Sequence, residues 1–379
     1  MSTASASRGL RNRPVYGLDL VRFIAAGLVV FYHLGFKAWA LEGSSLYRVL
    51  AAPDAFPPGY RFTWCGWVGV QVFFVVSGAV IAYSAQGVRA RRFARRRVAR
   101  LLPALLIAIA LVWPVTIALF AVAPAKATVL ALKTMAFVPW GPWIIGQFWT
   151  IPIELAFYAV ICAILASRAP PAVMRGLAWG LGIAATAYWC AVAGGWIAAG
   201  GRLSELLLLQ HGGYFALGML CARLGEGDLA WRHLLLAAAC AGAAMIQVRT
   251  AAGWEMAGRP DLAGEWLQAY ALWLVLTASV AASFAWRGPI ADQVGRLAGA
   301  LRLLGLSTYP LYLIHIHLGG AILMAMRAWG LVWSVPCAIA GSILGALVVA
   351  AWLEPPVHAV VDAALRRLGH RSINALRTS

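Results

Sequence analysis

Residues 101–123 read LLPALLIAIALVWPVTIALFAVA and contain no ionisable side chain. A helix of that length reaches about 35 Å, enough to cross a hydrocarbon core of roughly 30 Å. The apolar residues run all round the helix instead of forming one stripe, which is the pattern of a membrane span rather than of a soluble surface helix. Working outward, comparable apolar runs lie near residues 17–35, 64–85, 148–167, 176–198, 204–222, 233–249, 266–286, 303–326 and 332–352. Of the 379 residues 62% are hydrophobic and 12% charged, whereas soluble chains average roughly 45–50% and about 25%. In lipid the backbone must bond within its own segment, and the alternating pattern of a membrane β-barrel is missing. The sequence therefore predicts an all-α integral membrane protein, a bundle of about ten transmembrane helices.

Immediately before that stretch stands RARRFARRRVARLLP, with seven arginines between Arg89 and Arg100. With the N-terminus in the cytoplasm, 21 of the 31 basic residues fall in cytoplasmic segments and nine outside, with Arg22 inside the first span. The positive-inside rule then predicts that both termini are cytoplasmic. The expected organisation is a cytoplasmic N-terminal tail over 1–16, one polytopic transmembrane domain over 17–352 and a cytoplasmic C-terminal tail over 353–379. The formal charge of +18 lies between apolar runs instead of on a soluble face, which argues against nucleic-acid binding and for contact with membrane lipid. Six scattered cysteines form no metal or redox motif, and no metal is assigned.

Ionisable groups inside spans cost about 2.5–3.5 kcal/mol each on insertion scales, so each asks for a partner or a function. The first span, YGLDLVRFIAAGLVVFYHLG, carries Asp19, Arg22 and His33. Arg22 and His33 share a helix face about 16 Å apart, with Asp19 one turn from Arg22 and able to neutralise it. The bland alternative is an Asp–Arg pair at one interface and a satisfied histidine at the other. The fourth span begins FWTIPIELAFY and puts Glu154 near the expected depth of His33, where a carboxylate can take the Nδ1 proton and orient the ring. As a plain structural feature, Glu154 is a carboxylate at a helix N-terminus. The ninth span, LLGLSTYPLYLIHIHL, offers Tyr309, Tyr312, His315 and His317. The arginine run suits phosphate oxygens, which guanidinium forks grip bidentately, and equally suits anionic headgroups.

Taken in order, these motifs resemble the membrane-bound acyltransferase-3 family of bacterial carbohydrate O-acyltransferases, over essentially the whole chain. The family's arginine, ten intervening residues and histidine fall on Arg22 and His33. Its glycine-punctuated second span is similar to GWVGVQVFFVVSGAVI, ending Ser77-Gly78-Ala79-Val80-Ile81. Its RxxR element matches Arg97 and Arg100, its fourth-span signature Trp149, Glu154 and Tyr158, and its late helix Tyr309, Tyr312 and His315, followed by Glu354-Pro355. His317 stands where the family often has proline, and Pro152 precedes the glutamate.

The resemblance implies transfer of an acyl group, usually acetyl, from cytoplasmic acyl-CoA to a hydroxyl of an extracytoplasmic acceptor. That acceptor would be a surface polysaccharide, a lipopolysaccharide or a lipid-linked sugar, and the setting a bacterial inner membrane. Under it, His33 is the expected general base or acyl carrier, oriented by Glu154, with Arg22 at the thioester oxyanion or the donor phosphates and His315 as a further catalytic candidate. Arg96, Arg97 and Arg100 are the expected coenzyme A ligands, and Trp143, Trp149 and Tyr312 the expected acceptor contacts. Trp140, Trp143 and Trp149 read equally as an aromatic belt. A transporter or flippase of a lipid-linked sugar would use the same buried charges as a pathway.

Overall fold

The structure is a computed structural model that describes residues 14–50, 56–225, 227, 230–256, 259–262 and 264–375. The first thirteen residues of the expected N-terminal tail, and Arg377 at the other end, lie outside the described residues. The described residues are helical and contain no strand. The long helices are α1 (Tyr16–Tyr32), α2 (Gly69–Ser84), α3 (Ala90–Ala118), α4 (Pro124–Met135), α5 (Thr150–Ala166), α6 (Pro171–Ala193), α7 (Gly212–Leu224), α8 (Trp231–Glu255), α9 (Trp266–Ala285), α10 (Ala298–Ala325), α11 (Leu331–Val348) and α12 (Glu354–Ala375). Among the described residues nine helical stretches are long and apolar enough to cross a membrane.

The second stretch, Tyr60–Ser84, is the centre of the bundle, with 78% of its apolar window buried against 22% for Pro171–Ala193. Its glycines make this possible. A Cβ at Gly78 would collide with the backbone carbonyl of Phe215 on α7, and one at Gly218 with that of Val75 on α2. Two helices approach this closely only where small residues face each other, the usual means of helix association in lipid.

The expected span at 204–222 is not one long helix. A short helix, Arg202–Leu206, and a turn lead into α7, whose 13 residues reach only about 20 Å. α7 nonetheless packs within the bundle, against α2, α6 and α8. Irregular backbone at this depth is tolerated where protein satisfies it. Gln210 Nε2 donates to Gly201 O (3.1 Å), Trp189 Nε1 to Gln210 O (3.0 Å), and Arg202 to Pro139 O (2.7 Å) and Trp149 O (3.0 Å). Among the described residues there are thus nine candidate spans where about ten were expected, the difference lying at 204–222.

Two further boundaries differ from expectation. The helix of the third span begins ahead of residue 101, with the arginine run as the opening turns of the 29-residue α3. The segment after residue 353 is helical, running on from a π-helical turn at Val349–Leu353 into α12 and packing beside α3. Arg95 on α3 lies 3.8 Å from Asp362 on α12.

Candidate active site

Two cavities meet inside the bundle. The first, about 80 Å³, is lined by Arg22 of α1, Ser77 of α2, Arg97 and Arg100 of α3, Glu154 and Tyr158 of α5, and Tyr309 of α10. Arg97 and Arg100 are three residues apart on a helix and so face the same way. Arg97 is buried. Its Nη2 donates to Ser84 Oγ (2.6 Å), its guanidinium lies over the rings of Phe93 (5.0 Å) and Tyr158 (5.6 Å), and its Nε has no partner among the described residues. Glu154 accepts hydrogen bonds from Ser77 Oγ (2.8 Å) and from the Tyr158 hydroxyl. Three guanidiniums around one carboxylate leave a surplus of positive charge in a largely enclosed place, which is the chemistry of an anion site.

Arg96 does not join them. It sits about 100° round the helix from Arg97, exposed, and lines neither cavity. Asp19 faces a second guanidinium besides the expected Arg22, since Arg302 Nη1 of α10 lies 3.5 Å from its Oδ1. The sequence distance from residue 19 to 302 hides that pairing.

The second cavity, about 230 Å³, is lined by His33, Lys37, Ser44, Gln147, Trp149 and Tyr312, among others. His33 opens a π-helical turn, His33–Lys37, that extends α1, a helix irregularity often found at functional positions. Its Nδ1 lies 2.9 Å from Val29 O and 3.3 Å from His315 Nε2, while His315 Nδ1 lies 2.9 Å from Leu311 O. A carbonyl only accepts, so each Nδ1 carries the hydrogen. In the neutral pair His315 Nε2 then accepts from His33, and His33 Nε2 keeps its lone pair. A ring in that tautomer can take a proton at Nε2.

The expected contact between Glu154 and His33 is therefore replaced by one between His315 and His33. The reason lies in the segment before α5. Ile144, Ile145, Gln147 and Phe148 are all buried, so this segment is tucked into the bundle and α5 starts deep. Gln147 and Trp149 reach the histidine cavity, and Glu154 falls in the arginine cavity. Trp143 is not an open stacking surface, because Arg202 lies over its ring (5.3 Å) and its Nε1 donates to Val138 O (2.7 Å). His317 is buried against Phe120 and lines neither cavity.

Val70 and Tyr312 line both cavities and form the wall between them. The Tyr312 hydroxyl donates to Gln147 O (2.7 Å) and lies 2.9 Å from Thr150 Oγ1, which holds the ring in place. Of the expected residues, Arg22, Arg97, Arg100 and Glu154 gather on one side of this wall, His33 and Trp149 on the other, and His315 behind His33. Sequence reasoning missed Gln147 and Lys37, and it quoted Ser77 without assigning it a contact. The one available signal was that Gln147, a polar residue, sits in an otherwise apolar run.

Neither a search of curated proteins nor one of solved structures found a match. A comparison with family models did: residues 15–354 match the one described as an acyltransferase domain, a stretch that holds both cavities. The chain therefore belongs to the acyltransferase 3 family.

Proposed function

We propose that this membrane acyltransferase moves an acyl group, acetyl in the first instance, from acyl-CoA to a hydroxyl of a glycan or lipid-linked sugar across the membrane. The single observation that carries this reading is the adjacency of an arginine-lined cavity and a histidine-lined cavity, which share Val70 and Tyr312 in their walls. Coenzyme A is a phosphate-rich donor, and Arg22, Arg97 and Arg100 suit its phosphates. The positive-inside bias supports a cytoplasmic origin for the donor and cytoplasmic termini.

In this mechanism His33 Nε2 takes the proton of the acceptor hydroxyl as the oxygen attacks the thioester carbonyl. The C–S bond then breaks, the ester forms, and the departing thiolate recovers the proton from His33. The Val29 carbonyl holds His33 in the required tautomer, and His315 Nε2 accepts from the same Nδ1–H. Arg22, across the wall from His33, serves the donor's phosphates beside Arg97 and Arg100.

The test is purified protein in liposomes with acetyl-labelled coenzyme A and an extract of cell-envelope glycan. Label should move to the glycan, and His33→Ala should abolish the transfer. A flippase would leave the label on coenzyme A, and that result would overturn the reading.

A further inference from the structure

A third cavity, of about 590 Å³, opens between the ends of α2, α5, α6 and α7 and shares no lining residue with the two described above. Its volume falls within the roughly 300–1,000 Å³ of sites that take organic ligands. Val88 is in its wall, one residue before the arginine run, so the cavity lies at the same end of the bundle as that run. α6 forms one side, and it is the least buried of the nine candidate spans, at 22% of its apolar window. The cavity therefore stands at the edge of the bundle, where lipid meets protein.

The sequence between α5 and α6 shapes it. α5 ends at Ala166 and is followed by Ser167-Arg168-Ala169-Pro170-Pro171. Arg168 takes the left-handed conformation (φ 53°) and turns the chain, Pro170 has no N–H with which to continue a helix, and Pro171 opens α6. This turn brings Arg168 into the cavity wall, and Arg175 joins it from the second turn of α6. Arg223 reaches the wall from the end of α7, one turn beyond Met219, with its Nη1 2.9 Å from His233 Nε2. Most of the remaining wall is apolar, including Leu165 and Met174, and no acidic side chain lines it among the described residues. Arg168 and Arg175 are exposed and make no ion pair among the described residues.

The geometry points to a binding site for an anionic phospholipid of the surrounding leaflet, its phosphate held by Arg168 and Arg175 and its acyl chains laid along the apolar wall. Guanidinium forks match phosphate oxygens bidentately, and positive charge with no carboxylate facing it asks for an anion. Basic pockets between membrane helices on the cytoplasmic side suit such headgroups, and the positive-inside bias puts this end there. The apolar wall and the place at the bundle edge favour a lipid over a water-soluble phosphate. Bound there, the lipid ties the α5–α6 turn to α2 and α7 and stabilises the folded bundle.

The experiment titrates purified full-length protein in neutral detergent with phosphatidylglycerol, or with phosphatidylcholine of the same chains, and counts bound lipid by native mass spectrometry. The wild type should prefer phosphatidylglycerol by about tenfold or more, because each arginine near a headgroup contributes roughly fivefold. Arg168→Gln combined with Arg175→Gln should remove most of that preference. Both side chains are exposed, so the change takes no packing from the core. Arg92→Gln combined with Arg296→Gln removes the same charge from exposed positions outside the cavity and should alter binding by less than about twofold. Phosphatidylglycerol should also raise the thermal midpoint of the wild type and not that of the Arg168/Arg175 variant, since a ligand of the folded state stabilises it. Equal retention by the Arg168/Arg175 variant and the wild type, or equal binding of the two lipids, would overturn the proposal. Displacement of the lipid by excess coenzyme A would assign the cavity to the donor, and displacement by inorganic phosphate to a free anion; either result would overturn it too.

Discussion

His315 Nε2 lies 3.3 Å from His33 Nδ1, across 282 residues of sequence, in the place where a carboxylate was expected. A neutral imidazole is a weaker partner than a carboxylate for the imidazolium formed during proton transfer, but it still accepts from the Nδ1–H that the Val29 carbonyl fixes. His315→Gln keeps a side-chain oxygen that can accept from His33, and His315→Ala does not. His33→Ala should lower turnover by roughly 10²–10⁴-fold. His315→Ala should lower it by about tenfold or more, and His315→Gln should recover part of that loss. Steady-state turnover in the three variants checks the order, and equal rates for His315→Ala and wild type would separate His315 from the chemistry.

Glu154 sits among Arg22, Arg97 and Arg100, away from His33. Glu154→Gln should therefore leave the acidic limb of the kcat profile where it is in the wild type, and His315→Gln should move it. A pH series on the two variants decides between the partners. A shifted limb in Glu154→Gln alone would restore the carboxylate as the group that tunes the histidine.

The arginine run divides by helix face. Arg97→Lys combined with Arg100→Lys keeps the charge but loses the planar fork, and should raise the KM for acetyl-CoA by about tenfold, a loss of about 1.4 kcal/mol. Turnover at saturating donor should fall much less, because phosphate contacts are similar in ground and transition states. Arg96→Lys, on the exposed face, should change neither constant. A KM that rises for Arg96→Lys and not for the double variant would put the donor on the other face of α3.

Gly218 faces the Val75 carbonyl with no room for a Cβ. Gly218→Ala should separate α2 from α7 and cost about 1–3 kcal/mol or more, as overpacking does. The thermal midpoint of detergent-solubilised protein should drop measurably. Gly242→Ala on α8, where a Cβ meets nothing within 4 Å, should leave it unchanged.

Asp261 accepts from Arg259 Nε (2.8 Å) and Nη2 (2.9 Å) and from the Tyr60 hydroxyl (2.7 Å). These bonds hold its carboxyl well below the usual carboxylate range. A depressed folded-state pKa contributes stability above the unfolded value, about 3.9, and loses it as pH falls through the folded value. This clasp should therefore be intact at pH 5 and give way only in strong acid. Proteolysis of the segment around residue 261 as a function of pH checks this, and Asp261→Asn should make cleavage there independent of acid.

Much of the architecture was legible in residue order alone. Runs such as 101–123 can be satisfied only as helices in lipid, so the all-α membrane bundle follows from hydropathy and backbone bonding. The spacing of Arg22 and His33 on one helix face is likewise a local property, and the structure keeps them at separate cavities. What tertiary structure decided was which distant groups meet. Burial of Ile144, Ile145, Gln147 and Phe148 set the depth of α5, and so placed Glu154 away from His33 and Gln147 in the same cavity as His33. The buried turn before α7 shortened a span that hydropathy reads as whole, because neighbouring side chains satisfy its backbone. Hydropathy reports the solvent that each segment prefers, whereas depth, register and cross-bundle pairing depend on close packing between segments far apart in sequence, on which a single chain's local pattern carries no information.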